Sequence, residues 1–134
     1  MEKNDEKLEL TRAEEEIMQI LWDIEKGFVK NIVEKFPDPK PAYNTVSTIV
    51  RILESKGFVD HKAYGKTHEY FPLIGRDEYR RQFLKTMLND YFGGSFRQLA
   101  SFFMKHEKMD IHEIEELLSL MNKEITKKPK KSRS

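Results

Sequence analysis

Glu14, Glu15 and Glu16 stand in a row, and Asp60, His61, His68 and Glu69 fall along one short stretch of alternating character. Carboxylates and imidazoles are the side chains that move protons and hold metal ions. The acidic run has no partner acid, base or ligand at a telling distance, and a place in the first turn of a helix accounts for it through the helix dipole. Neighbouring strand histidines can share a metal, with Asp60 or Glu69 adding an oxygen, but no third ligand follows at a recognised spacing and there is no glycine-rich phosphate loop. A metal-dependent enzyme is the weaker alternative. His61 and His68 are expected to pack or to be solvated, and no catalytic residue, metal ligand or cofactor is assigned. The absence of cysteine excludes disulfides and thiolate sites, and suits a reducing cytoplasm.

Residues 42 to 57, AYNTVSTIVRILESKG, offer a different chemistry. Wound at the α-helical period, Val46, Ile49, Val50 and Leu53 make one apolar stripe. Asn44, Ser47, Thr48, Arg51 and Ser55 fall on the opposite side. Their side chains are short, or rich in donors and acceptors, which is what a helix entering the major groove needs. Amides and hydroxyls reach base edges or phosphates there, and arginine can grip a guanine edge with two hydrogen bonds. A merely solvated face ordinarily carries Glu and Lys at i, i+4, whereas this one has Arg51 as its only charge.

The preceding segments must hold that helix. Thr11 with Glu14 forms a capping box, and Ala13, Ile17, Ile20, Leu21 and Ile24 give the first helix a buried stripe that Trp22 widens, with Gly27 as its end. Val29, Ile32, Val33 and Phe36 predict a second, shorter helix, which Pro37, Pro39 and Pro41 turn into an extended connector. After Gly57 the period changes to two. Residues 58 to 63 and 67 to 72 read as strands joined through Tyr64, Gly65 and Lys66. Three helices followed by such a hairpin predict a winged helix-turn-helix. Lys62, Lys66 and His68 would lie on or near the wing, and Lys66 at its tip is the candidate for a phosphate contact.

At 134 residues, 38% of them apolar and 11% aromatic, the chain can bury a modest core. It has no membrane-length apolar run and no secretory leader pattern, so a soluble cytoplasmic protein without membrane insertion is expected. The net charge of +1 averages unlike segments: residues 26 to 75 hold eight basic and five acidic side chains, whereas residues 1 to 25 hold three and nine. A mildly basic middle permits nucleic-acid binding without demanding it.

From Arg76 the pattern is helical again. Tyr79, Phe83, Leu84, Met87, Leu88 and Tyr91 line one helix, Gly93 and Gly94 break it, and Ser95 with Gln98 caps an aromatic helix carrying Phe96, Leu99, Ala100, Phe102 and Phe103. Asp110 with Glu113 caps a last helix with the stripe Ile114, Leu117, Leu118 and Met121. So short a region cannot easily bury this aromatic surface alone, which predicts dimerisation; the rival is a monomer whose helices fold back on the first half. The expected fold is mainly α: a winged-helix domain over residues 1–75, a helical dimerisation domain over 76–125 and a basic disordered tail over 126–134, with the first nine residues frayed.

These motifs resemble the penicillinase repressor family of bacterial winged-helix regulators, the BlaI, MecI and CopY group. LTRAEEEIMQILW resembles the family's L-T-x-A-E-x-x-I/V-M-x-x-L/I-W, and NTVSTIVRILESKGFV its T-V-x-T-x-L-x-R-L-x-x-K-G. EYFPLIGRDEY, YFGGS and IEELLSLMNK resemble later family segments in the same order. The resemblance implies a homodimeric repressor on a palindromic operator of double-stranded DNA, in an antibiotic-resistance regulator family, under a membrane sensor protease pathway. By the family pattern Thr45 and Thr48 match positions near the operator, and Lys56 and Gly57 the end of the reading helix. The chain departs from the pattern where Ile52 replaces the family's arginine, with Arg51 one place earlier, and where Phe102 and Phe103 stand at the Asn-Phe pair cleaved in antibiotic-responsive members. The cysteine motif of copper-responsive members is absent. The alternative function is a winged helix used for protein–protein contacts, which salt-dependent DNA affinity would distinguish.

Overall fold

The computed structural model describes residues 10–127; the frayed start and nearly all of the basic tail anticipated from sequence lie outside the described residues. The chain divides into two compact units between Arg76 and Asp77. Among the described residues there are six helices and a three-stranded antiparallel sheet, the mainly α winged-helix architecture with C-terminal helices that the sequence pattern predicts.

In the first unit, α1 spans Arg12–Ile24 and begins with the expected capping box: Thr11 Oγ1 accepts from the Glu14 N–H, and Glu14 Oε1 from the Thr11 N–H. Its inward face differs from the expected stripe. Ala13 is exposed, and Glu14, Ile17, Met18 and Leu21 are buried. These four lie at i, i+3, i+4 and i+7, so the helix turns a carboxylate inward with its apolar residues. Glu14 is only 4% exposed, and Lys56 Nζ reaches its Oε1 at 2.8 Å. The acidic cluster is therefore more than a dipole effect: Glu14 joins the start of α1 to the residue that ends the third helix. Lys56→Met should leave this carboxylate underpaired and lower unfolding stability by about 2 kcal/mol, read by urea denaturation; an unchanged midpoint would show the ion pair to be energetically idle.

Gly27 does not end α1. The helix stops at Ile24, with Glu25 at φ 76, and Gly27 opens β1, Gly27–Phe28. A Cβ at Gly27 would lie 2.8 Å from Ile24 Cδ1 and 3.3 Å from Asn31 Cβ, so close packing explains the glycine. Then come α2, Val29–Lys35, and α3, Tyr43–Ser55. Asn31 Oδ1 accepts from the Phe28 N–H at 2.8 Å and secures the start of α2.

The wing consists of β2, Val59–Tyr64, and β3, Thr67–Pro72, paired from Val59↔Pro72 to Tyr64↔Thr67. Gly65 opens the two-residue loop at φ 65, a conformation that primed hairpin turns reserve for glycine. On the other side of β3, β1 pairs through Gly27↔Tyr70 and Phe28↔Glu69, so the wing is a three-stranded sheet in the order β1-β3-β2 and not a lone hairpin. Ile32, Val46, Val50, Leu53, Phe58, Val59 and Tyr70 join the α1 residues in one interior. Each large apolar side chain buried there contributes about 1.5–3 kcal/mol. Trp22 Nε1 donates to the Ile74 carbonyl at 2.8 Å and fixes the exit of the sheet against α1.

In the second unit, α4 spans Arg76–Phe92, α5 Phe96–His106 and α6 Ile111–Thr126. Gly93 and Gly94, at φ 58 and 74, make the break after α4. Ser95 caps α5, and Asp110 with Glu113 closes a capping box on α6. The buried Arg81 donates from Nε to the Glu124 carbonyl at 3.1 Å, which satisfies a last-turn acceptor of α6.

Candidate nucleic-acid interface

Burial of Val46, Val50 and Leu53 fixes the rotation of α3 and so decides which residues it presents outward. Ile49 is half-buried at the edge of the stripe. Asn44, Thr45, Thr48, Arg51 and Ser55 are exposed, and Ser47 is half-buried. Arg51 Nη2 donates to Ser47 Oγ at 3.3 Å, one turn back, a long and exposed contact that leaves the guanidinium free to exchange it for another acceptor. Ile52 is exposed beside these polar groups, where it could meet a thymine methyl.

The wing adds cations. Lys66 is exposed at the hairpin loop, and Lys62 lies across the strand from Glu69 with its Nζ 5.4 Å from the centroid of the Tyr64 ring. Between α3 and the wing runs a groove of about 730 Å3 whose lining includes Lys30, Tyr43, Asn44, Arg51, Lys66 and His68. Sequence reasoning missed Lys30 and Tyr43. Lys30 belongs to the groove because α2 starts directly after β1, whose pairing with the wing no local pattern announces, and Tyr43 because it opens α3 on its exposed side.

The sequence predicts packing or solvation for His61 and His68; His61 is half-buried and His68 exposed, and the two lie against each other. Their rings stack with centroids 4.0 Å apart and planes 7° apart, over the buried Tyr70. His61 Nδ1 lies 2.7 Å from Glu54 Oε2, a partner that the sequence did not suggest. Burial, and secondarily the charge of Glu54, push the Tyr70 phenol above its usual range, so it stays neutral and able to donate.

In the second unit, Tyr79, Leu88, Leu99 and Ile114 are buried. Met87, Phe96, Phe103, Leu117, Leu118 and Met121 are half-buried. Phe83, Tyr91 and Phe102 are exposed, Tyr91 to 78%, with Met104, Ile111 and Leu120 also open. Among the described residues no helix is long and apolar enough to cross a membrane.

Residues 10–123 match the family described as Penicillinase repressor. Over 116 residues the chain is 31% identical to the methicillin resistance regulatory protein MecI of Staphylococcus aureus (strain N315), covering 86% of this chain and 94% of that protein. It is 29% identical over 122 residues to the penicillinase repressor of Staphylococcus aureus, covering 90% and 96% of the two chains. The penicillinase repressor of Bacillus licheniformis is 21% identical over 121 residues, with 90% and 94% covered.

Proposed function

The chain belongs to the penicillinase repressor family, whose members are regulators and not enzymes, and from that premise we propose that it is a cytoplasmic transcriptional repressor acting as a homodimer on a palindromic promoter operator. In this reading α3 lies in the major groove and the wing follows the backbone beside it. The observation that carries the proposal is the outward face of α3, where Asn44, Thr45, Thr48, Arg51 and Ser55 stand exposed while the opposite stripe is sealed in the core. That face lacks the paired acids and lysines of a solvated surface, and acidic side chains would repel phosphates. The exposed apolar residues of the second unit, Phe83, Tyr91 and Phe102 among them, supply surface for a second copy. A membrane sensor protease pathway is the proposed source of the inducing signal.

Selection from random duplex DNA by the full-length protein tests the reading. Recovery of a palindrome with half-sites about 10 base pairs apart is expected. No enrichment of any duplex would favour the protein-contact alternative.

Two substitutions separate base reading from phosphate contact. Arg51→Ala should cost roughly 1–3 kcal/mol on the selected palindrome and little on random duplex, whereas Lys66→Ala should weaken both alike. Fluorescence anisotropy on the two duplexes measures the difference. Equal losses for Arg51→Ala would place that guanidinium on a phosphate.

A further inference from the structure

Glu54 leaves the last turn of α3, and Asp60 and His61 lie near the start of β2, beyond the tight turn at Gly57, which has φ 87. That turn is held by the Gly57 N–H donating to the Glu54 carbonyl at 3.0 Å and the Phe58 N–H to the Leu53 carbonyl at 2.9 Å. It brings three side chains with metal-ligating atoms to one place. His61 Nδ1 is 2.7 Å from Glu54 Oε2, with the two side chains only 27% and 29% exposed. Asp60 Oδ1 accepts the His61 backbone N–H at 2.8 Å, which turns its carboxylate toward the same residue. One ligand atom from each of the three lies within 4.8 Å of the other two. The His68 ring stacked on His61, and Tyr70 tilted against it, hold the imidazole in its plane.

The electrostatics add a second argument. Among the described residues neither carboxylate is paired with a lysine or arginine, although the surrounding segment is rich in both. Glu54 contacts the imidazole of His61 and Asp60 its backbone N–H, so two carboxylates gather at one residue, and a divalent cation would balance their charges.

We propose that Glu54, Asp60 and His61 bind one divalent first-row transition-metal ion per chain, with Zn2+ the best fit. One imidazole nitrogen with two carboxylate oxygens suits Zn2+ and its neighbours, whereas Mg2+ and Ca2+ prefer all-oxygen sets. Ligands about 2.0–2.2 Å from zinc in a tetrahedron lie roughly 3.4 Å apart, so the cluster, with ligand atoms within 4.8 Å of one another, must draw together on binding. Such an ion ties the end of α3 to the first residues of the wing, and the proposal stands on this geometry independently of the DNA-binding reading.

Isothermal titration of the full-length protein with ZnCl2, repeated with Co2+ while its visible absorption is followed, tests the site. One saturable ion per chain is expected. His61→Asn and Asp60→Asn should each weaken it at least about tenfold, while His106→Asn and His112→Asn leave it unchanged. Asp60 is exposed, so Asp60→Asn should melt at the wild-type temperature without metal, separating lost ligation from lost folding. Absence of saturable binding would overturn the proposal. So would binding that survives both His61→Asn and Asp60→Asn, or equal competition by Mg2+.

Discussion

Ending the chain after Arg76 is expected to leave a folded winged helix whose affinity for the proposed palindromic operator has fallen by about 100- to 10,000-fold. The cut keeps the interior of the first unit whole, because Ile17, Met18, Leu21, Ile32, Val46, Val50, Leu53, Phe58 and Tyr70 all precede it. It also keeps the Trp22–Ile74 hydrogen bond and the Arg76–Asp23 ion pair at 2.8 Å. What is lost is the second unit, where Phe83, Tyr91, Phe102, Met104, Ile111 and Leu120 are exposed on helices with few fully buried side chains of their own. A unit that small gains most by burying such surface against a second copy. Without it each half-site must be filled independently, and the effective concentration supplied by tethering disappears. Analytical ultracentrifugation and anisotropy titration check both halves of the argument. A full-length chain that is monomeric at micromolar concentration would refute it, as would a truncated chain that binds as tightly as the intact one.

The full-length protein should lose on the order of a hundredfold or more in DNA affinity between about 50 and 200 mM salt, because lysines and arginines that meet phosphates displace condensed counterions. Lys62, Lys66 and Arg51 are exposed on α3 and the wing, where the proposed function expects such contacts. The slope of log affinity against log salt counts the phosphates neutralised, and Lys66→Ala should reduce it by about one for each chain in contact. A flat dependence would leave the exposed face of α3 without a nucleic-acid partner.

The parts of this fold that were legible in the sequence are those written in local periods and caps. Val46, Val50 and Leu53 recur at helical spacing and are buried, Thr11 with Glu14 and Asp110 with Glu113 cap their helices, and the hairpin turns at Gly65. What was not legible depends on residues far apart in the chain. β1 is two residues long, too short for alternation to register, and exists because β3 offers it a free edge. Gly27 carries the same signature as a helix stop, and only the proximity of Ile24 and Asn31 shows why it is glycine. Glu14 looked like one of three first-turn acids, and its pairing with Lys56, 42 residues away, leaves no trace in either neighbourhood. Among the aromatic residues of the second half, periodicity marked the stripes but could not separate the buried Tyr79 from the exposed Tyr91. Glu54 went unnoticed beside His61 because a helix period and a strand period meet between them at Gly57.

Trp22 is the chain's single tryptophan, and its indole is bound to the Ile74 carbonyl with the Arg76 guanidinium 5.6 Å from the ring centroid. The tryptophan emission of the protein, excited selectively over that of its tyrosines, therefore reports on the first unit alone, whereas far-ultraviolet dichroism sums the helices of both. Denaturation followed by the two signals is a ready-made test of cooperativity: coincident curves mean the units unfold as one, and displaced curves resolve a species in which one has melted while the other persists.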